Sequence, residues 1–251
     1  MGWLSDADLR RFATEGYLVV RGVVPDALLL AADREIDELI AEAIPDEGDG
    51  GPGTNLWFPP CSRLPRCDAA LRKSPALGIA EELVAPQRLD HAFDHIQVAT
   101  TVPPYRHVPG GPHLDGHGPH LATPASFTML VGVILTDQTD SQRGNLWVWP
   151  GSHLVHRDLF SRRGTTALQE TSGHPTLLDP PARFDAGCEV RADRGDLVLA
   201  HFLTGHNKGG NTGPAVRRTI YYRLAVPGHR EHWESTFLDP WTEYLPIASA
   251  R

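Results

Sequence analysis

GDLVLAHFLTGHNKGGNTGPAVRRTIYYR, residues 195–223, reads as two strands joined by a glycine-rich bend. Gly195-Asp196 turns the chain into an apolar run, and His206 lies beyond the end of that run, just before Gly209 and Gly210. In the second run successive side chains alternate between faces. Arg217, Thr219 and Tyr221 therefore share one side, and Arg218, Ile220 and Tyr222 the other. The second set is apolar after Arg218 and suits packing beneath a layer of helices. The first set sends a guanidinium and a hydroxyl into the interior together. A buried guanidinium needs an anion, and a fork of donors beside a hydroxyl suits a carboxylate.

Outward from this stretch the strand pattern continues. HIQVATTV (95–102), SFTMLVGVILTD (126–137), GNLWVWP (144–150) and CEVRA (188–192) are short β-rich runs separated by Gly, Pro and Asn turns. Before residue 95 the period is helical. Ser5 caps a first helix with Asp8 three residues on, and Gly16 ends it ahead of the strand YLVVRGVV. Pro25 opens a longer helix, Asp26 to about Ile44, with Leu29, Ala32, Ile36, Leu39 and Ile40 on one stripe. Residues 45–60 read as a loop, and 69–84 as a helical stretch interrupted near Pro75. Residues 161–187 have no clear period, and a loop of that length inside a compact domain is usually functional or mobile. Helices first and strands later predict a mainly β fold with flanking helices. The expected form is a sandwich or jelly roll with the N-terminal helices packed on one sheet. No linker divides the chain, so residues 1–251 are expected to form a single domain.

Composition narrows the function. The formal charge of −8 argues against nucleic acid or an anionic membrane surface as partner. No run approaches eighteen apolar residues, and the first residues lack the layout of a secretory signal. Cys61, Cys67 and Cys188 form no CxxC pair, so reduced thiols in a cytoplasmic protein are expected. Oligomeric state is not legible.

The decapeptide GPHLDGHGPH (111–120) holds the densest metal-ligand chemistry. On a strand His113 and Asp115 would point to one face, with Leu114 pointing away. A His-x-Asp pair supplies two members of the two-histidine, one-carboxylate triad that leaves positions open on non-haem iron(II). The third ligand must then be a distant histidine. By itself the tripeptide is a weak signal, and zinc accepts the same donors.

His113-x-Asp115, GNLWVWPGSH (144–153), Gly195-Asp196, His206, Asn211 and Arg217 occur in one order and spacing. Together they resemble the phytanoyl-CoA dioxygenase family of Fe(II)- and 2-oxoglutarate-dependent oxygenases, over roughly residues 4–227. The resemblance implies a double-stranded β-helix (a cupin-like jelly roll). It implies His113, Asp115 and His206 as iron ligands and catalytic centre, and Arg217 on the far carboxylate of 2-oxoglutarate. Thr219 matches an Arg-x-Ser/Thr pattern that adds a hydroxyl to that carboxylate; Arg218 is a rival to Arg217 that strand alternation disfavours. Thr128 is a further candidate contact to 2-oxoglutarate. The implied reaction consumes O2 and 2-oxoglutarate, releases succinate and CO2, and oxidises a small organic substrate. Related halogenases carry Gly or Ala at the carboxylate position, so Asp115 points to hydroxylation-type chemistry.

Other residues carry weaker signals. His107, His117 and Trp147 are candidate substrate contacts, although a loop position for His117 and a core role for Trp147 are the plainer readings. His201, inside a strand, is expected to be packed rather than ligating, and Asn211 to hold the His206 loop. Ser152 and His153 end a strand in a turn and propose no hydrolase triad. No glycine motif that would cradle phosphate accompanies residues 45–60 or 161–187, which favours a free metabolite of secondary or amino-acid-derived metabolism over a CoA thioester. Two other classes remain open: a non-catalytic metal- or ligand-binding β-helix, and a zinc hydrolase.

Overall fold

The computed structural model describes residues 2–116, 124–169 and 184–249. Helix α1 (Asp6–Glu15) begins with the capping box read from the sequence: the Ser5 hydroxyl accepts from the Asp8 N–H, and the Asp8 carboxylate accepts from the Ser5 N–H. It ends at Gly16, whose φ of 80° turns the chain directly into β1 (Tyr17–Val20). Helix α2 (Asp26–Glu42) follows and stops two residues before the expected Ile44. Between α3 (Pro65–Arg72) and α4 (Ala76–Glu82) lies the expected break at Pro75.

One segment expected as loop is a strand. β2 (Gly53–Trp57) pairs antiparallel with β4 (Gln97–Val102). Its Pro- and Gly-rich flanks hide a period of two, in which Asn55 and Trp57 are buried while Thr54 and Leu56 face a cavity. β3 (Asp90–His91), β5 (Met129–Ile134), β6 (Leu146–Val148), β7 (Cys188–Glu189), β8 (Leu197–His201), β9 (His206–Lys208) and β10 (Arg217–Ala225) complete the strands. They form two sheets. The larger, seven-stranded, runs β1-β8-β5-β10-β4-β2 with β3 also paired to β10; the smaller is β7-β6-β9. Every pairing is antiparallel. This is the double-stranded β-helix that the sequence led us to expect.

Alternation along the central strands separates two apolar layers. Met129, Val131 and Val133 of β5 and Ile220, Tyr222 and Leu224 of β10 face α1–α4, where they meet Phe12, Leu29, Ile36, Ile79 and Leu83. Leu130 and Ile134 of β5 face the smaller sheet and meet Leu146, Val148 and Phe202. Full burial of each such side chain contributes roughly 1.5–3 kcal/mol, so this alternation fixes the register of β10 firmly. The helix-facing set of β10 is thus as the sequence indicated: Arg218 pairs with Asp37 of α2 at 2.7 Å, and the Tyr222 hydroxyl donates to the Cys67 carbonyl at 2.6 Å.

Three helices escaped the sequence reading. Residues expected to end a strand in a turn open α5 (Ser152–Arg163), whose Leu159 and Phe160 join the layer between the sheets. Gly151 precedes it at φ 77°. Near the end of the chain, α6 (His229–Leu238) sends Phe237 into the same layer, and α7 (Leu245–Ser249) sends Ile247 into the helix-side core. Among the described residues no helix is long and apolar enough to cross a membrane.

Candidate metal centre and co-substrate cavity

His206 opens β9, and its backbone pairs with His113 by two hydrogen bonds, 2.9 and 3.1 Å. That single bridge extends the smaller sheet by one rung, so His113 does not belong to a regular strand as the His-x-Asp reading supposed. It still brings the two imidazoles together, with ring centroids 4.5 Å apart. Asp115 follows, and its Oδ1 lies 3.5 Å from His113 Nε2 and 3.4 Å from His206 Nε2. One ligand atom from each of the three residues falls within 4.8 Å of the other two. This is the spacing that a single ion with two nitrogen donors and one oxygen donor requires.

Hydrogen bonding fixes the relevant tautomer at His206. Its Nδ1 lies 3.0 Å from the Thr204 carbonyl, which can only accept, so Nδ1 carries a proton and Nε2, which faces Asp115, is the nitrogen left for a metal. Burial is the largest influence on His113 and holds it below its ordinary pKa, and the neighbouring His206 adds to this. Burial also disfavours the charged form of His206. There the Asp115 carboxylate and the Thr204 carbonyl outweigh it and leave the pKa raised. Asp115 is likewise opposed by burial, yet Arg223 and the two imidazoles hold its carboxyl well below the usual range. The carboxylate is therefore ionised across the working pH range.

The three residues line a cavity of about 410 Å³ that also receives Thr54, Leu56 and Phe58 of the β2 segment, Gln97 and Thr101 of β4, and Arg217, Tyr221 and Arg223 of β10. Arg217 is 5% exposed and faces inward as expected. Its Nη2 donates to the Tyr221 hydroxyl at 2.6 Å, its Nη1 reaches the Ala99 carbonyl only at 3.5 Å, and its Nε is buried without a partner. A buried guanidinium with unspent donors at a cavity wall suits the far carboxylate of a dicarboxylate ligand. The donor set thus fits Fe(II), and the cavity wall fits 2-oxoglutarate.

Several sequence expectations change here. Thr219 does face the same side as Arg217, but its hydroxyl accepts from Gln138 Nε2 at 3.2 Å and does not line the cavity. The hydroxyl beside Arg217 belongs to Tyr221. Thr128 is also turned away: it donates to Glu243 Oε2 at 2.5 Å and accepts from the Val226 N–H, anchoring the C-terminal segment. Trp147 points out of the site, because alternation along β6 gives the cavity Leu146 instead. His107 stacks on Tyr105 with centroids 5.4 Å apart, outside the cavity; burial, and then Lys208, lower its pKa. His117 lies outside the described residues, as do residues 170–183 of the aperiodic stretch 161–187.

Expected structural residues behave as such. His201 Nε2 donates to the Pro240 carbonyl at 2.8 Å while Nδ1 accepts from the Leu203 N–H. Asn211, fully buried, donates to the Thr101 and Ala215 carbonyls and accepts from the Gly213 N–H. The Ser152 hydroxyl accepts from the Gly205 N–H, holding the turn before His206. The sequence reading missed the site roles of Tyr221 and Arg223. Both continue the inward face 217, 219, 221, 223, and that period of two was the available signal.

An antiparallel double-stranded β-helix with two histidines and a carboxylate at its mouth defines a class, the non-haem iron oxygenases. Comparison with known proteins agrees. The sequence matches the phytanoyl-CoA dioxygenase family over residues 12–219, and the chain belongs to that family. It is accordingly an Fe(II)- and 2-oxoglutarate-dependent enzyme with O2 as co-substrate. Its fold is similar to the α-ketoglutarate-dependent carbocyclase SnoK from nogalamycin biosynthesis, with 22% identity, 88% of this chain and 83% of that one covered, and a TM-score of 0.65. It is also similar to HygX from Streptomyces hygroscopicus with nickel, 2-oxoglutarate and hygromycin B bound (20% identity, 88% and 87% covered, TM-score 0.57). A third is the epimerase SnoN from nogalamycin biosynthesis (19% identity, 87% and 81% covered, TM-score 0.58). No curated protein sequence matches the chain.

Proposed function

We propose that this enzyme oxidises a C–H bond of a small organic metabolite, most simply by hydroxylation, with succinate and CO2 as co-products. His113, Asp115 and His206 are the metal ligands in this reading, and Arg217 is the anchor for 2-oxoglutarate. The observation that carries it is the convergence of three ligand atoms within 4.8 Å on the wall of the cavity that receives Arg217. Bound iron would supply the activation of O2 that a protein side chain cannot. The chain's own part is to present one oxygen and two nitrogen donors, to seat a dicarboxylate on Arg217, and to keep the reacting substrate among Leu56, Phe58, Leu130 and Leu146.

The substrate is a free small molecule rather than a CoA thioester. A cavity of about 410 Å³ is of metabolite size, and among the described residues its Asp, Glu, Lys and Arg lining is Glu47, Asp115, Lys208, Arg217 and Arg223. The named neighbours support a natural-product substrate, since one is held with hygromycin B and two come from nogalamycin biosynthesis. We further read residues 1–251 as one oxygenase domain acting in the cytoplasm. A zinc hydrolase would leave Arg217 without a purpose, and a site that had lost turnover would be expected to have lost part of the set His113, Asp115, His206, Asn211 and Arg217.

The test is an anaerobic titration with Fe(II) and then 2-oxoglutarate, followed by visible absorption. A weak charge-transfer band that needs both additions, and is absent from Arg217→Ala at modest 2-oxoglutarate, is expected. Folded, iron-loaded protein without the band would refute the reading.

A further inference from the structure

The two oxygens of Asp115 have separate environments. Oδ1 faces the imidazoles, 3.5 and 3.4 Å from His113 Nε2 and His206 Nε2. Oδ2 is turned the other way and accepts two hydrogen bonds from Arg223, one from Nε at 3.1 Å and one from Nη2 at 2.7 Å. The guanidinium itself is clamped. It lies 5.9 Å from the centre of the Phe58 ring and 5.8 Å from that of Phe127, and the Arg223 side chain is only 13% exposed. A charge-assisted pair held between two rings cannot swing without losing both sets of contacts.

We propose that Arg223 is a positioning residue that restricts Asp115 to binding the metal through Oδ1 alone, and so keeps a coordination position open for 2-oxoglutarate. The proposal rests on the reading of His113, Asp115 and His206 as ligands. Two imidazoles and a one-oxygen carboxylate leave positions open on a non-haem iron, which is what the chemistry of this class needs. A carboxylate that turned to use both oxygens would close one of them. Arg223 prevents the turn by occupying the lone pairs of Oδ2.

Charge alone argues in the opposite sense. A guanidinium beside a cation site weakens metal binding and attracts a dianion in the same cavity, so a purely electrostatic role would make its removal tighten the metal, while Arg223→Lys, which keeps the charge, would leave 2-oxoglutarate binding as in the parent. Positioning instead predicts a loss of 2-oxoglutarate affinity in Arg223→Lys as well. Partners of metal ligands of this kind typically change affinity by roughly 10- to 100-fold when removed.

The experiment uses the full chain saturated with Co(II), which reports coordination through its visible spectrum, and calorimetric titration with 2-oxoglutarate, neither of which needs turnover. Arg223→Met is expected to take up Co(II) with an altered spectrum and to bind 2-oxoglutarate about 10- to 100-fold more weakly than the parent. Arg223→Lys keeps a cation between the rings but lacks the fork; it is expected to shift both readouts in the same direction by less. It carries the test if the methionine variant does not fold. Parent-like spectra and parent-like 2-oxoglutarate affinity in a folded variant would overturn the proposal, because a merely structural arginine changes thermal stability and neither readout. Failure of the underlying reading looks different: the unmodified protein would not take up Co(II), or Asp115→Ala would leave its spectrum unchanged.

Discussion

Replacing Tyr221 with phenylalanine removes one oxygen atom and isolates the question of which hydroxyl aims Arg217, the anchor proposed for 2-oxoglutarate. In the structure Arg217 Nη2 donates to that oxygen at 2.6 Å, its Nη1 contact to Ala99 is a marginal 3.5 Å, and its Nε has no partner. The Tyr221 bond is therefore what aims the guanidinium. Hydrogen bonds to a charged group contribute about 1.5–3 kcal/mol, and each 1.4 kcal/mol is roughly tenfold in affinity. Tyr221→Phe should accordingly weaken 2-oxoglutarate binding by about one to two decades, and Arg217→Ala sets the upper limit. The ring would stay in place, because a Cβ at Gly132 would stand 3.0 Å from it and the glycine leaves the room it needs. Thr219→Val is the control: its hydroxyl accepts from Gln138 and does not line the cavity, so the affinity should change by about threefold or less. Calorimetric titration of the metal-saturated proteins decides the matter. Parent-like binding by Tyr221→Phe would refute the role of its hydroxyl, and an equal loss in Thr219→Val would show that Arg217 is organised as the Arg-x-Thr pattern implies.

Burial lowers the pKa of His201 to about 4; the bond to the Pro240 carbonyl opposes this and the neighbouring His156 adds to it. A folded value below the unfolded one of about 6.5 means that this contribution is complete above pH 6.5 and is lost as pH falls toward 4, about 3 kcal/mol in all. Urea unfolding at stepped pH should show this acid limb in the parent and a flatter one in His201→Gln; parallel limbs would remove His201 as the cause. Gly144 has φ 77°, and a Cβ there would come within 2.7 Å of Arg217 Cβ, so Gly144→Ala should displace the anchor, weaken 2-oxoglutarate binding and lower Tm by about 5–10 °C. A thermal melt and one titration would check it. Glu243, 3% exposed, accepts from the Thr128 hydroxyl and is bonded to His229 and His232. Glu243→Ala should cost about 2–5 kcal/mol in urea unfolding, and a loss under 1 kcal/mol would mean that the network rearranges freely.

Period was the most legible property of this sequence. It placed α1, α2, the Pro75 break and the strands from residue 95 on except β9, which was read as part of a bend, and it put Arg217 on the inner face of β10. It did not find α5, where Leu159 and Phe160 are buried among polar neighbours and the preceding Pro150-Gly151 reads as a turn. β2 was hidden by its flanking prolines and glycines. At the site, the meeting of His206 with His113 depends on a backbone bridge across 93 residues of chain, and only resemblance to a family supplied it. Tyr221 and Arg223 stood on the right face in the sequence. Their partners, Arg217 and Asp115, are set by how long side chains lean along and across the sheet, which alternation does not encode.

One strand, β10, carries Arg217 and the Asp115 partner Arg223 on one side and the residues that grip α2 and α3 on the other. An insertion or deletion of one residue within Arg217–Ala225 would exchange the two sides, burying guanidinium groups beneath the helices and pointing Ile220 and Tyr222 into the cavity beside His113, Asp115 and His206. Catalytic competence and foldability are thus inherited together along this segment. New substrate preferences can arise in the chain between strands, where length is free to drift, but not by re-spacing β10.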